Sequence, residues 1–524
     1  MKKPLLVTAA AVALMTSSAG AETLRWGLAG DALTLDPHAQ NEGVTIMLQS
    51  QMMEPLVSRA PNGELEPTLA TEWAIKKADP TVWVFKLREG VKFHDGAAFD
   101  SEDVVFSLNR ARSQASQMKG LIASIAEVKA TGPHEVEIKT KGPNPILPAA
   151  MTSIFMLDKT WVEANKATVP QNVAAGEVTF ASTNVNGTGP YKLVSREQDN
   201  RTVMRRNDDY WGMKTFPVKV TEVVFTPIQN AATRVSALLS GELDFIQDVP
   251  VQDIQRVKSN AGLKIETQTE NRSVFFGLNV SDKLHGGNIN GKNPLADVRV
   301  RQAMSMAINR DAIQRVVMRG QSVPAGVIMP TFVRGWSKEL NTYPPTDVAK
   351  IKAMLADAGY KDGFSIQLDC PNDRYINDEA ICQAAVSMLS QVGIKVNLNA
   401  TSKALFFPQI GKLETDFFML GWGVPSYDSE YIFNFLYHTK SDAYGSWNST
   451  RYSNPELDSQ IKAIAAEVNL EARDAMVKNM WETVKKDAVY IPIHHQMLNW
   501  AMKSKYTVTV DPDNQARIKY FSIN

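Results

Sequence analysis

The sequence predicts an α/β fold, with helices layered around an open sheet, in a chain long enough for more than one domain. Strand and helix patterns alternate through the second half of the 524 residues. A helix over 347–358 is closed by Gly359, and a helix over 379–390 stops near Gly393. A strand follows at 394–398, and this alternation is typical of α/β layers.

The remaining elements follow from apolar spacing and from the turn residues between them. Residues 81–87 alternate along the chain as a strand with two distinct faces. A second strand is predicted at 24–28. Helices are predicted at 44–56, at 104–112 after Ser101-Glu102-Asp103, after Asn454-Pro455, and at 470–485.

Composition and charge narrow the class of protein. Apolar residues make up 44% and charged residues 21%, as in ordinary soluble globular proteins. The 56 basic and 56 acidic residues balance, so nothing favours nucleic acid or an anionic membrane as a partner. No stretch reaches the roughly 18 apolar residues that would predict insertion into a membrane.

The amino terminus has the three parts of an export signal. Lys2 and Lys3 supply the positive charge, residues 4–15 are apolar, and Ala19-Gly20-Ala21 offers small residues for cleavage. We expect residues 1–21 to be a signal peptide that is cut before Glu22. The mature chain is then exported, and the periplasm is the predicted compartment.

The stretch 417–435 combines a predicted buried strand with a loop whose residue types are common in ligand-binding sites. The apolar run at 417–420 predicts the strand, and two glycines and a proline directly afterwards force a loop. That loop carries an indole, a phenol and a carboxylate: Trp422, Tyr427 and Asp428. Aromatic side chains with polar groups on a loop at a strand end are typical of small-molecule sites. The alternative is that the aromatic rings simply cap the core.

The chain contains two cysteines, Cys370 and Cys382, with eleven residues between them. Export to an oxidising compartment permits a disulfide, which we favour over two buried thiols. Closing this loop is expected to stabilise the fold by about 2–3 kcal/mol.

Several blocks of sequence resemble one known family. WVFKLREGVKFHDGAAFDSEDVVFSLNR, within 81–110, closely resembles the signature of the family-five extracellular solute-binding proteins. These proteins are the dipeptide, oligopeptide and nickel-type receptors of ABC importers. Further blocks that are similar to the family follow in the right order, at 186–193, 207–211, 239–245, 297–311, 354–360 and 391–396.

The resemblance implies a two-lobed periplasmic-binding-protein fold in which a solute binds between lobes that close about a hinge. We expect residues 22–282 to form the first part of lobe one, including a subdomain. Residues 283–496 would then form lobe two, and residues 497–524 would return to lobe one. Lobe one is therefore discontinuous in sequence.

This sequence departs from the family pattern in the loop that follows the predicted strand at 417–420. In the family, an aspartate three residues after the tryptophan often pairs with the α-amino group of a peptide, and here that position is Pro425. The nearest carboxylate is Asp428. Either Asp428 takes this role or the solute has no free amine, because an unpaired charge in a closed cleft is unfavourable. Asp428 could also be an ordinary solvated turn residue.

A second candidate segment, 370–375, lies between a strand and a helix. Dipeptide receptors carry an arginine in this region that meets the carboxylate of the ligand, and Arg374 lies close to that position. Asn372 and Tyr375 are neighbouring candidates, and the disulfide would hold the loop. The alternative is a surface arginine. The turn at 36–38 is expected at the cleft without a ligand contact.

The sequence gives little support for a catalytic site or a metal site. Residues 286–292 match the glycine and lysine spacing of a phosphate loop, but Asn293 replaces the Ser or Thr, and no strand directly precedes it. His494 and His495 are adjacent, and neighbours on a strand point to opposite faces. Neither a HExxH nor a GxSxG motif occurs. We expect no enzyme activity, no metal site and no cofactor.

The predicted function is therefore that of a periplasmic substrate-binding component of a peptide-type ABC transporter. The expected ligand is a di- or oligopeptide or a peptide-like solute, and the expected partners are the inner-membrane permease subunits. The protein is expected to be a monomer. An opine, an oligosaccharide, a nickel chelate or haem are alternative solutes, and an exported hydrolase is a remote alternative.

Overall fold

A computed structural model describes residues 22–524. The predicted signal peptide, 1–21, lies outside the described residues. Within 22–524, no helix combines the length and the apolar character that crossing a membrane requires.

Nineteen strands are found in the described residues, and their bounds are as follows. They are β1 Thr23–Leu28, β2 Val57–Arg59, β3 Leu65–Pro67, β4 Ala70–Ile75, β5 Val82–Leu87, β6 Ile125–Gly132, β7 Glu135–Thr140, β8 Tyr191–Glu197, β9 Arg201–Arg206, β10 Glu222–Pro227, β11 Phe245–Ile246, β12 Leu263–Leu278, β13 Ser322–Pro324, β14 Phe364–Pro371, β15 Ile394–Thr401, β16 Phe417–Trp422, β17 Tyr490–Lys503, β18 Tyr506–Thr507 and β19 Ser522–Ile523.

Fifteen α-helices accompany them in the same range. They are α1 Gly43–Gln49, α2 Ser101–Ala111, α3 Leu147–Ala150, α4 Lys159–Ala164, α5 Phe180–Thr183, α6 Ala231–Ser240, α7 Ile254–Lys258, α8 Val298–Ala307, α9 Arg310–Ala312, α10 Val348–Asp357, α11 Asp378–Ser390, α12 Lys403–Gly411, α13 Ser429–Ile432, α14 Pro455–Ala466 and α15 Leu470–Asp487. Wider π-helical turns extend α9 over Ile313–Val317 and α13 over Phe433–Tyr437.

A mixed sheet of eleven strands runs through the molecule in the order β15-β14-β16-β12-β17-β11-β1-β10-β9-β8, with β13 paired to β17. A separate antiparallel sheet, β4-β5-β7-β6, packs with α2 around its own apolar core. The predicted α/β class with an open sheet is confirmed.

Strands β12 and β17 are the long antiparallel pair that joins the two lobes. Their outer halves pair Leu263–Thr269 with Met497–Lys503, next to an apolar core that contains Trp26 and Trp500. The inner half of β12 pairs with β16, and the inner halves of both strands contribute to two other cores. The pairing shifts register between Thr269 and Ser273, where the chain passes from one set of cores to the other. This shift precedes the predicted limit at 282, and the lobe limits stay a prediction.

The helix predicted over 44–56 is shorter in the structure, which is a correction. Helix α1 ends at Gln49, although Met52 and Met53 remain buried as the apolar spacing implies. The carbonyl of Gln51 accepts from Tyr191 and the carbonyl of Met52 accepts from Gly189, each at 3.0 Å. These long-range backbone bonds replace the next helical turn.

The helix predicted from Val104 begins three residues earlier. Asp100 caps it by accepting from the amide of Glu102 at 2.8 Å, and Asp103 accepts from the amide of Asp100 at 3.1 Å. The reciprocal bonds form a capping box, so Ser101 is already helical.

Candidate functional site

A cavity of about 820 Å³ lies between the two lobes, where β12 crosses. Its wall includes first-lobe residues Asn41, Gly43 and Arg59, together with the second-lobe loop 423–426 and residues 430–435. This volume lies in the range of small-molecule sites, and such sites occur preferentially where domains meet.

The second-lobe wall is built by the segment that directly follows the sequence-predicted loop. Helix α13 continues into the π-helical turn Phe433–Tyr437, and four side chains of this segment line the cavity: Glu430, Tyr431, Asn434 and Phe435. Their spacing places them on one helical face. Local π-helical turns are frequent at functional sites, because they re-aim side chains within a helix.

Trp422 lies behind this wall. Its ring packs at 5.8 Å from Tyr431, at 5.9 Å from Phe435 and at 5.9 Å from Trp447, measured between ring centroids. Only 9% of Trp422 is exposed, and its Nε1 has no hydrogen-bond partner among the described residues. The predicted indole therefore supports the aromatic surface that faces the cavity, and its contact with a ligand stays a prediction.

Tyr427 is buried under an arginine of the other lobe. The guanidinium carbon of Arg59 lies 3.8 Å from the centre of the Tyr427 ring, and Phe332 packs on the ring at 4.9 Å. Arg59 also donates to the carbonyl oxygens of Gly63 at 2.7 Å and of Ser426 at 3.4 Å. The predicted phenol thus forms a contact between the lobes at the edge of the cavity.

Asp428 is held by the protein itself. Arg473 on α15 donates to both of its carboxylate oxygens at 2.6 and 2.7 Å, and both side chains are buried. Asp428 also accepts from the amide of Glu430 at 2.9 Å and so caps α13. It is not among the residues that line the cavity, and its proposed contact with a ligand cation stays a prediction.

Glu430, two residues after Asp428, is the carboxylate of this segment that lines the cavity. It is 8% exposed, and no ion pair to its side chain occurs within residues 22–524. Burial raises the pKa of Glu430 to about 7, and the neighbouring Asp428 acts in the same direction. Arg473 and Asn434 lower this pKa.

The crossing segment is tied to both lobes through Asn271. Its side chain donates to the carbonyl of Val424 at 2.9 Å and accepts from the amide of Val424 at 3.0 Å. The same side chain donates to Asp513 at 2.8 Å. The pKa of Asp513 is raised by burial. Because Asn271 contacts both the second-lobe loop and the returning tail, it couples their positions at the hinge.

A second cavity of about 400 Å³ adjoins the first, and Glu270 and Arg272 line both. Arg374 lies on the wall of this second cavity, 5.1 Å from the centre of the Tyr375 ring. The Arg374 side chain is exposed, as in the surface-arginine alternative, and partial desolvation and the neighbouring Arg272 lower its pKa. Arg272, which lines both cavities, already pairs with Glu270 at 3.0 Å, so Arg374 is the guanidinium on this wall that can receive an anionic group of a ligand.

The neighbours of Arg374 have different roles. Tyr375 is buried, and its hydroxyl accepts from the amide of Gly421 at 2.8 Å, which ties this loop to the end of β16. Asn372 is exposed and lines neither cavity. Cys370 and Cys382 form a disulfide that joins β14 to α11, so the predicted pairing is present in the structure.

Two amides at the start of the glycine-rich segment after β12 are taken up by a carboxylate of the protein. The amides of His285 and Gly286 donate to the carboxylate of Asp416 at 2.8 and 2.9 Å. His494 and His495 are buried in β17, and burial lowers the pKa of each, to about 4 and about 3. Within 22–524, no three His, Cys, Asp or Glu side chains are grouped so as to hold a metal ion.

Sequence reasoning missed the charged residues of the main cavity, among them Arg59, Arg272 and Glu430. Arg59 and Arg272 lie in strands that carry no motif, and their position depends on how the lobes meet. Glu430 stands in the first turn of α13, where acidic residues commonly complement the helix dipole. The wide apolar spacing after Asp428 was the available signal, because it predicts that one face of this helix is buried.

The sequence profile of the bacterial extracellular solute-binding proteins, family 5 Middle, matches residues 64–444. The glutathione-binding protein GsiB of Pectobacterium atrosepticum is 26% identical over 486 residues, covering 90% of this chain and 88% of that protein.

Two solved structures are similar over almost the whole chain. HbpA2 from Haemophilus parasuis has a TM-score of 0.82 at 22% identity, covering 96% of this chain and 100% of the other. DppA from Helicobacter pylori, in complex with the peptide STSA, has a TM-score of 0.74 at 21% identity, covering 96% and 98%.

With a two-lobed α/β fold around an interlobe cavity, the molecule is of the periplasmic binding protein type. The chain belongs to the bacterial extracellular solute-binding proteins of family 5. The resemblance inferred from the sequence blocks is therefore confirmed.

Proposed function

We propose that this protein is the periplasmic substrate-binding component of a peptide-type ABC importer. It captures a di- or oligopeptide, or a peptide-like solute, in the interlobe cavity and delivers it to the inner-membrane permease. The observation that carries the proposal is the cavity of about 820 Å³ enclosed by both lobes at the β12 crossing. Its size suits a small flexible solute.

The composition of the cavity supports a solute with both polar and apolar parts. Tyr431 and Phe435 offer apolar surface, Glu430 offers a carboxyl group, and Arg272 offers a guanidinium that pairs with Glu270 at 3.0 Å. A peptide-like molecule carries an ammonium, a carboxylate and apolar side chains, so it can use all of these groups. Relatives of this chain include proteins named for binding glutathione and one solved with a bound peptide.

In this role the protein performs no covalent chemistry and works as a monomer that closes on its ligand. The contact between Arg59 and Tyr427, which is present in this structure, would hold the lobes together around the buried solute. The closed form is then the one that the permease recognises.

Native mass spectrometry on protein purified from the periplasm without refolding tests the proposal. A uniform added mass that is released on denaturation and identified as a peptide is the expected result. A released opine, sugar, metal chelate or haem would keep the transport role and overturn the peptide assignment. If the protein carries no added mass, di- and tripeptides are titrated, and failure of all of them to raise Tm would count against a peptide ligand.

A further inference from the structure

We propose that Glu430 and the aromatic surface beside it form a subsite for an organic ammonium group of the solute. This inference rests on the proposed function, because it takes the interlobe cavity as the solute site. It assigns to Glu430 a specificity-determining role and leaves Asp428 to the internal ion pair with Arg473.

The first argument is that the acidic side chains around the cavity differ in their hydrogen-bond and ion-pair partners. Glu54 also lines the cavity, but Tyr210, Trp211 and Thr188 donate to its two oxygens at 2.7 to 2.9 Å. Glu430 is also buried, but among the described residues only the Asn434 side chain acts on its carboxylate as a hydrogen-bond donor, and no cation pairs with it. A buried carboxylate without a cation is unfavourable when ionised, so a ligand cation that reaches it gains a large interaction.

The second argument is the chemistry of the surface next to Glu430. Tyr431 and Phe435 pack with 4.4 Å between their ring centroids, and both line the cavity. Trp422 and Trp447 back them. Aromatic faces attract ammonium groups through their quadrupoles and supply no oxygen ligands for a metal ion. A carboxylate beside aromatic rings therefore selects an organic ammonium over a hydrated metal cation.

The third argument concerns the charged groups that act on Glu430. Asp428 on the same segment raises its pKa, and Arg473 on α15 lowers it. Arg473 already donates to both oxygens of Asp428, so these two charges largely compensate each other. Across the cavity, Arg59 faces Tyr427 and Asp513 accepts from Asn271. The side chain of Asn434 acts on Glu430 as a neutral hydrogen-bond donor, so a solute ammonium would be the first cation in direct contact with this carboxylate.

Calorimetry with a simple probe tests the subsite without knowledge of the natural solute. The probe is phenethylammonium, and 2-phenylethanol is its uncharged counterpart. We expect Glu430→Gln to weaken phenethylammonium binding at least tenfold and to leave 2-phenylethanol binding unchanged. The exposed Glu471 on α15 gives the matched control, Glu471→Gln, which should bind like the native protein. Equal binding of phenethylammonium by native protein and Glu430→Gln would overturn the proposal.

A second measurement uses the unmodified protein and does not depend on the folding of a variant. At pH 6 the Glu430 carboxyl is mostly protonated, since burial raises its pKa to about 7. Binding of phenethylammonium should release most of one proton. The apparent enthalpy should then differ between buffers of high and low ionisation enthalpy. Binding without proton release would contradict the assignment.

Tripeptides separate this inference from the proposed function. If tripeptides bind equally well with free and with acetylated amino termini, the transport proposal stands and the ammonium subsite is wrong. If no tripeptide binds but phenethylammonium binds in a Glu430-dependent way, the subsite stands and the peptide assignment is wrong.

Discussion

Arg473 donates to Asp428 from Nη1 at 2.6 Å and from Nη2 at 2.7 Å, forming a two-point ion pair in the interior of the second lobe. The same carboxylate caps α13 by accepting from the amide of Glu430 at 2.9 Å. One residue therefore fixes both the start and the orientation of the helix that lines the cavity. This arrangement favours a positioning role for Asp428 and a ligand-facing role for Glu430.

Removal of the Asp428 charge should lower the stability of the protein. For Asp428→Asn we expect the free energy of unfolding to fall by about 3 kcal/mol, because Arg473 is left buried and unpaired. Urea unfolding measures this difference. The matched control is Asp474→Asn, which breaks the partly exposed pair with Arg334 at 2.7 Å and should change stability by less than about 1 kcal/mol.

The ligand-binding role that the sequence suggests for Asp428 predicts a different result for the same variant. Full stability of Asp428→Asn together with loss of solute binding would place Asp428 on the ligand and contradict the positioning role. If Asp428 has a positioning role, the double variant Asp428→Asn/Arg473→Met should regain stability. The second substitution removes the cation that Asp428→Asn leaves unpaired.

Arg374 should contribute to binding of solutes that carry a carboxylate. Its guanidinium faces the smaller cavity, and no hydrogen bond from it to another group occurs within residues 22–524. We expect Arg374→Ala to weaken binding of a carboxylate ligand by about 2 kcal/mol, as for a charge-assisted hydrogen bond. Calorimetry with a peptide and its carboxyl-terminal amide gives the comparison. Unchanged affinity for the free acid would remove Arg374 from the site.

Contact between Arg59 and Tyr427 should favour the closed form. Tyr427→Leu removes the aromatic face under the guanidinium, and we expect solute affinity to fall about tenfold. Tyr427→Phe keeps a ring in the same place and is the matched control, with a change of no more than about threefold. Small-angle scattering should show a smaller decrease in radius of gyration on ligand addition for Tyr427→Leu. An identical decrease in both variants would exclude this role.

The sequence predicted where the segment that carries the site lies. It did not predict the contacts that its side chains make. The apolar run 417–420 and the glycines after it identified β16 and its loop, because these are local signals. The ion pair of Asp428 could not be predicted, since Arg473 is distant in sequence and meets it only after α15 packs. For the same reason the sequence pattern pointed to Asp428 as the candidate carboxylate of the loop and not to Glu430.

Backbone hydrogen bonds between distant segments also limit how well the spacing of apolar residues predicts the ends of helices. Apolar spacing continues through Met52 and Met53, which are buried, yet α1 ends at Gln49. Gly189 approaches Met52 so closely that an added Cβ would lie 2.6 Å from the carbonyl carbon of Met52. A tertiary contact of this kind overrides local helical preference and leaves no trace in the spacing of apolar residues.

The disulfide should stabilise the second lobe. Cys370 and Cys382 are fully buried, and their bond closes a loop with a sequence separation of 12. We expect Cys370→Ala combined with Cys382→Ala to lower the free energy of unfolding by about 2–3 kcal/mol. Urea unfolding of the native protein with and without reductant gives the same comparison without mutation. A reduced protein of unchanged stability would contradict the prediction.

Acid sensitivity should arise in part from His494. Burial lowers the pKa of His494 to about 4, below the ordinary value of 6.5, and both ring nitrogens lack hydrogen-bond partners among the described residues. The unfolded chain therefore takes up a proton as pH falls below about 6.5, whereas the folded protein does so only near pH 4. The contribution of His494 to stability is fully present above pH 6.5. It is lost progressively between pH 6.5 and 4, by up to about 1.4 kcal/mol per pH unit.

Glu430 and Asp511 act in the opposite direction over part of this range, because burial raises their pKa to about 7 and about 6. The contribution of the histidine is therefore isolated as a difference between two proteins that share these carboxyl groups. We expect the free energy of unfolding of His494→Phe to decrease less than that of the native protein between pH 7 and pH 5. Ile493→Val, at the adjacent buried position, should lower stability by about 1 kcal/mol equally at both pH values. Parallel pH profiles for His494→Phe and the native protein would show that folding leaves the pKa of His494 unchanged, and they would contradict the prediction.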